Sequence, residues 1–322
     1  GANGAAGPFG PAEQAWLAEA ITRKQRGSIY SLNNAIGFFG MGLGAVFAGL
    51  VPLWQGALPG ATAYRPLFAW VLAANAFNFF LLRRTPGGAR PERVVRAAPA
   101  PSPAATTTTP ATPAAATGIV LDRRTENRAL VKLTISNAVN GFAIGLFGPL
   151  TSYWFAAKFG VGPEAIGPVF ALTFVVTGFA SLWAGRMSRR VGIVRSVILI
   201  RYVGVALLVA LPLVPWYWAA AALYVLRSAL NRGTAGPRQA LTMGLVRDER
   251  RGTAASIGGA SFQLPGAAGP TLGGLMLEHG ALAMPWLIGA GLQLAYAWMY
   301  GFFFREYEIK DEPRGSAARA AR

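Results

Sequence analysis

Cysteine is absent from the 322 residues, and histidine occurs once. Without cysteine there is no disulfide framework, no thiolate metal site and no cysteine nucleophile. A single histidine excludes His-pair metal sites and most designs in which imidazole moves a proton. Charge is also scarce. Only 13% of residues are Asp, Glu, Lys or Arg, roughly half the ~25% usual in a soluble globular domain. Acids are the scarcest, 13 against 30 Lys and Arg, giving a net charge of +17.

What is abundant is apolar. Hydrophobic residues make up 53% of the chain, and the mean hydropathy is +0.38. Charged residues are missing from Gly27–Tyr64, Leu133–Ala157, Ala165–Gly185, Tyr202–Leu226, Gly252–Leu277 and His279–Phe304. A bilayer-spanning helix needs about 20 mainly apolar residues. Lipid offers the backbone no hydrogen-bond partner, so such runs must be helical. A transmembrane barrel would alternate polar and apolar residues over short strands, and these runs do not alternate. We read eight complete spans: Ser28–Trp54, Tyr64–Leu82, Ala129–Ala157, Glu164–Arg186, Ser196–Val214, Trp216–Val246, Thr253–Leu277 and Ala281–Phe304. A ninth, Gly1–Ile21, is moderately apolar and partial. It lacks an initiator Met and the basic start and long apolar core of a signal peptide.

The basic excess has a position. With the Arg23, Lys24 and Arg26 loop placed in the cytoplasm, alternation puts most Lys and Arg on that same side and leaves Arg65 and Lys158 outside. The positive-inside bias therefore accounts for most of the basic excess. Nucleic acid is not an expected partner, whereas anionic membrane lipid is. Ala97–Thr117 is a low-complexity Ala/Pro/Thr stretch that cannot build a core, and is expected to be a linker. The first block also echoes the end of the second. Arg26-Gly27-Ser28 pairs with Arg251-Gly252-Thr253, and at the same offset Ser31 pairs with Ser256, Ala35 with Ala260, Gly44 with Gly269, and Gly49-Leu50 with Gly274-Leu275. One slip upstream, Gly10-Pro11 pairs with Gly236-Pro237. Repeated halves are common in transporters.

Three features resemble the major facilitator superfamily. The loop from Gly185 through Arg186, Met187, Ser188, Arg189, Arg190, Val191 and Gly192 to Arg195 is similar to the second-half copy of the family's Gly-x-Leu-x-Asp-Arg-x-Gly-Arg motif, with Met187 for Leu and Arg189 in the acid's place. Pro265-x-x-x-Gly269-Pro270-x-x-Gly273-Gly274 resembles the family's antiporter motif, although the matching Gly40–Gly49 stretch lacks the Pro. The six-helix second half, basic central loop and basic tail complete the pattern. The resemblance implies an all-α integral membrane protein, a bundle holding helices 4–12 of a twelve-helix fold. Helices 4–6 would fill 1–82, a cytoplasmic linker 83–128, helices 7–12 residues 129–304, and a cytoplasmic tail 305–322. The front of the chain would then be cut off. It further implies a monomeric, multi-pass transporter of a small solute in the inner membrane, exporting or importing it by alternating access, with no cofactor. The alternative is a non-transporting membrane protein or an inactive truncated fragment. A membrane enzyme would need a nucleophile with a base, or an acid pair, at membrane depth, and the sequence offers neither.

Candidate residues follow from polar groups inside apolar runs. Arg227, Asn231, Thr234 and Arg238 share one helical stripe, and a mid-span Arg should face protein or water. Arg227 and Asn231 are therefore substrate-cavity candidates, with ion pairing as the structural alternative. Asn137 and Asn140 on the seventh helix, Asn33 on the fifth and Gln263 on the eleventh could face a cavity or serve as interhelical glue. Thr173, Thr177 and Ser181 form a stripe on the eighth. Arg232 is read as structural, and Arg201, six residues past Arg195, as reaching back to the inner surface. Glu13 is the candidate membrane-level acid should coupling use protons, unless that acid lies upstream. Gly185, Arg189, Arg190, Gly192, Gly269, Pro270, Gly273 and Gly274 are the conformational candidates. Gly37, Gly40, Gly44 and Gly49 are expected, with Gly266, Gly269, Gly273 and Gly274, to allow close helix approach. No metal site is expected, because no ligand cluster converges.

Overall fold

The computed structural model describes residues 9–21, 25–54, 56–58, 60–84 and 123–307. Residues 1–8 and 22–24, the Ala97–Thr117 linker and the tail beyond Tyr307 lie outside the described residues. The chain forms two compact units, Gly1–Val46 with Leu121–Arg322, and Phe47–Val120. The helices are α1 (Phe9–Ala20), α2 (Arg26–Gly49), α3 (Arg65–Arg84), α4 (Arg123–Phe147), α5 (Thr151–Phe159), α6 (Pro163–Val191), α7 (Ile193–Ala210), α8 (Tyr217–Gly233), α9 (Ala235–Gly244), α10 (Arg251–Glu278) and α11 (Met284–Phe304). No strand occurs among the described residues.

Two expected spans are interrupted, and proline explains both. The Ala129–Ala157 span breaks after Phe147. Pro149 has no N–H to continue α4, and its ring disfavours a helical residue before it. Thr151 Oγ1 caps the break by donating to the carbonyls of Phe147 and Gly148, both at 3.0 Å. The Trp216–Val246 span breaks at Thr234 into α8 and α9. Pro237 then sits in the first turn of α9, where no donor is needed. Glycine sets the tightest turn. Gly192 joins α6 to α7 at φ +98°, a region that other residues adopt only with strain.

The sequence echo has a structural counterpart. Arg26 opens α2 and Arg251 opens α10, at the offset the repeat gives. Both side chains are buried. Each long helix follows a short one, α1 before α2 and α9 before α10.

In the larger unit, α4 lies backbone to backbone on α10. A methyl added at Gly269 would come within 2.5 Å of the Leu146 nitrogen, and one at Gly273 would run into the Leu146 carbonyl. Gly141 and Gly145 press in the same way on the Phe262 and Gly266 carbonyls. The expectation for the α2 glycines fails. Among the described residues, nothing lies within 4 Å of a Cβ built at Gly37, Gly40, Gly44 or Gly49, and the same holds for Gly274 on α10. Spacing marks a small-residue stripe but not the face a neighbour occupies. On α2 the close approaches are made instead at Gly42 and Gly27, where an added Cβ would lie 3.0 Å from Val175 Cγ2 and 3.1 Å from Ser188 Oγ.

The core of this unit is two apolar clusters. One gathers Leu130 and Leu133 of α4, Val194 and Val197 of α7, and Tyr296, Tyr300 and Phe304 of α11. The other gathers Leu146 and Phe147 of α4, Trp154 of α5, Leu208 of α7 and Trp286 of α11. Trp286 stacks on Phe147 and tilts against Trp154, both with centroids at 4.8 Å, contacts worth about 0.5–1.5 kcal/mol each beyond burial. Outward faces stay apolar too. Leu172, Phe179, Trp183, Leu199, Trp298 and Phe302 are exposed, an arrangement suited to hydrocarbon rather than water. Among the described residues, four helical stretches are long and apolar enough to cross a membrane, by length and composition: Arg123–Phe159, Pro163–Val191, Ile193–Leu213 and Met284–Tyr307. The smaller unit contains α3, and within it Trp54 Nε1 donates to the Ala63 carbonyl at 2.6 Å and Phe47 meets Trp70 at 5.6 Å.

Candidate functional site

Arg227 lies deep in α8, 4% exposed. Its guanidinium rests 4.6 Å from the centre of the Phe147 ring at the end of α4. A cation over an aromatic face is stabilised by about 0.5–2 kcal/mol, less than a desolvated guanidinium loses. Its Nε and Nη2 are buried without a hydrogen-bond partner among the described residues. One turn on, Asn231 is also buried, and its Oδ1 has no partner among the described residues. The stripe then meets the helix break. Thr234 donates back to the Asn231 carbonyl at 2.8 Å, and Arg238 Nε to the Thr234 carbonyl at 3.4 Å. Arg232 points elsewhere, over the Phe174 ring of α6 at 5.5 Å. The α6 stripe is buried, and Thr173 and Thr177 donate to carbonyls of their own helix, at 2.7 and 2.6 Å.

The other candidates fall in separate places. Asn137 Nδ2 of α4 donates to the Gly258 carbonyl of α10 at 3.2 Å, a bond between helices. Asn33 Nδ2 of α2 donates to Glu13 Oε1 of α1 at 2.8 Å on an exposed face. Gln263 is exposed on α10. Asn140 faces inward and accepts from Arg201.

Arg201 corrects the sequence expectation. It does not reach back to a surface. It is 1% exposed, nine residues into α7, with Nη1 3.3 Å from Asn140 Oδ1 and 3.5 Å from Gln293 Oε1 of α11. Its guanidinium lies 4.9 Å from the Tyr296 ring centre. This polar layer separates the two apolar clusters on all three helices. Gln293 was missed, although it stands alone as an amide in the apolar run of α11.

Two of the conformational candidates, Gly185 and Arg189, lie where α2 meets α6, next to α9, whereas Gly269 and Gly273 lie on the α4–α10 seam. A methyl at Gly185 would come 2.7 Å from Ser31 Cβ, and one at Gly236 would come 2.5 Å from the Ser31 nitrogen. Arg189 Nη1 donates to Ser28 Oγ at 3.2 Å, and Asn34 Nδ2 to Gln239 Oε1 at 2.8 Å. Arg190 is exposed, and Pro270 is half-buried on α10. Nearby, the fully buried carboxylate of Glu126 ties the start of α4 to the turn before α10. It accepts from the Arg247 nitrogen and Nε, both at 2.9 Å, and from Arg250 Nη1 at 2.8 Å. Sequence reading gave Glu126 no role. A cleft of about 450 Å³ between α7 and α11, lined by Ile198, Tyr202, Trp298 and Phe302 among others, contains none of the candidates.

Long apolar helices, outward apolar faces and buried polar groups on facing helices define an all-α, multi-pass membrane protein. Residues 133–321 match the family model of the Major Facilitator Superfamily. That is more than half of the chain, which therefore belongs to this superfamily and is one of its transporters. No curated protein matches the chain.

Proposed function

We propose that the chain is a secondary active transporter that moves a small solute by alternating access. One observation carries this reading. Where the start of α2 meets α6 and α9, the junction is made of small side chains and single polar bonds: Ser31 against Gly185 and Gly236, Ser28 with Arg189, and Asn34 with Gln239; farther along α2, Phe39 packs on Gly178 and Phe179 of α6. Such a junction can open without exposing a large apolar core, as a rocking transporter requires. On this reading helices 4–6 occupy 1–82, the linker 83–128, helices 7–12 residues 129–304 and the tail 305–322. Eight full spans and a partial one cross the inner membrane, with the basic linker and tail in the cytoplasm. The protein works as a monomer, and Arg227 with Asn231 contributes to the solute path.

The test is transport in proteoliposomes, with a panel of labelled monocarboxylates, amino acids, sugars and organic cations. We expect at least one solute to accumulate above empty liposomes, and Arg227→Ala to change its apparent affinity. Folded protein that moves none of them would instead favour a non-transporting membrane protein. Unchanged affinity in Arg227→Ala would remove that residue from the path.

A further inference from the structure

The layer between the two apolar clusters contains more hydrogen-bond donors than the protein satisfies. Arg201 Nη1 occupies the oxygens of both Asn140 and Gln293. Because a guanidinium only donates, those oxygens must face it, and the amide nitrogens are left over. Five buried atoms remain without a partner among the described residues: Arg201 Nε and Nη2, Asn140 Nδ2, Gln293 Nε2 and the Tyr296 hydroxyl oxygen. The four nitrogens can only donate, and the phenol can donate. All four side chains are at most 1% exposed.

Charge points the same way. No salt bridge to Arg201 occurs among the described residues. Arg238 and Arg227 raise the positive potential around it. The described carboxylates of this half stand in the first or last turns of helices or in the links between them, and Glu126 is already engaged by Arg247 and Arg250. A desolvated cation with orphaned donors beside it is unstable unless a negative partner arrives. One anion would satisfy the charge and the donors together. The apolar clusters on either side restrict it to a few atoms.

We propose that Arg201, Asn140, Gln293 and Tyr296 form a buried receptor for one small monovalent anion, a halide or a compact oxyanion such as nitrate or formate. The site holds the anion at mid-depth of the bundle and couples the packing of α4, α7 and α11 to anion concentration. It does not depend on which solute the protein carries.

The probes are chloride, nitrate and formate. Each is titrated against the whole chain in nanodiscs, in a gluconate background of constant ionic strength, and thermal unfolding is followed by tryptophan fluorescence. We expect at least one anion to raise Tm saturably by a few degrees. Chloride alone, an oxyanion alone or both would each support the site and identify its occupant. Arg201→Gln should abolish the shift. Should Arg201→Gln fail to fold, Gln293→Leu provides the reading, because losing one donor should weaken the apparent affinity about tenfold. No anion-specific shift in the wild type would overturn the proposal. So would a shift that persists undiminished in these variants. Neither result bears on transport, which the proteoliposome assay reads separately.

Discussion

Changing Gly273 to alanine and changing Gly274 to alanine are the same chemical step on adjacent residues of α10, yet the packing gives them opposite signs. At Gly273 the new methyl falls on the Leu146 carbonyl, 2.9 Å from its carbon and 3.1 Å from Leu150 Cδ1. The main obstacle is backbone, which cannot rotate away, so α4 and α10 must separate. The Gly141–Phe262 and Gly145–Gly266 approaches along the same seam would loosen with them. Overpacking of this kind costs about 1–3 kcal/mol. At Gly274 nothing among the described residues lies within 4 Å of an added Cβ, so alanine only removes the helix penalty of glycine, a gain of about 0.5–1 kcal/mol. The same gain offsets part of the loss at Gly273, so the two variants should differ by the overpacking cost, about 1–3 kcal/mol. Equilibrium unfolding in mixed micelles, followed by tryptophan fluorescence, measures the difference. Stabilities equal to within about 0.5 kcal/mol, the usual range for uneventful surface changes, would refute the backbone-to-backbone seam.

Gly192→Ala should destabilise by about 1–3 kcal/mol through its positive φ alone, measured in the same unfolding assay, with no dependence on ionic strength. Glu126→Gln should lose about 1–2 kcal/mol. The lower part of the range applies because Arg247 is half exposed, and unfolding at low and high salt should show that the loss shrinks as salt rises.

Charge-free runs made the helices legible, and the Arg-Gly repeat placed the starts of α2 and α10 at equivalent residues. The helix breaks were not read from those runs, because hydropathy registers Pro149 and Pro237 as neutral interruptions, whereas the backbone treats each as a missing donor. Burial was less legible still. The position of Arg201 along α7 suggested an escape to the surface. Its real environment is set by Gln293, 92 residues away, and by Tyr296 on the same helix. The glycine stripe of α2 had the right spacing but the wrong face. Asn33 and Glu13 were singled out separately, and the fold makes them partners. The candidates could be identified as unusual from sequence, but which of them meet depends on helix rotation, and hydropathy does not encode that.

The most direct test of alternating access is a reversible lock across the α2–α6 junction. A Cβ at Gly27 would lie 3.1 Å from Ser188 Oγ, within reach of a disulfide, and the chain has no cysteine of its own to interfere. For any solute that the reconstituted protein moves, oxidising the Gly27→Cys, Ser188→Cys variant should stop transport, and reduction should restore it, while the wild type ignores both treatments. Undiminished transport with the bond fully formed would contradict the account.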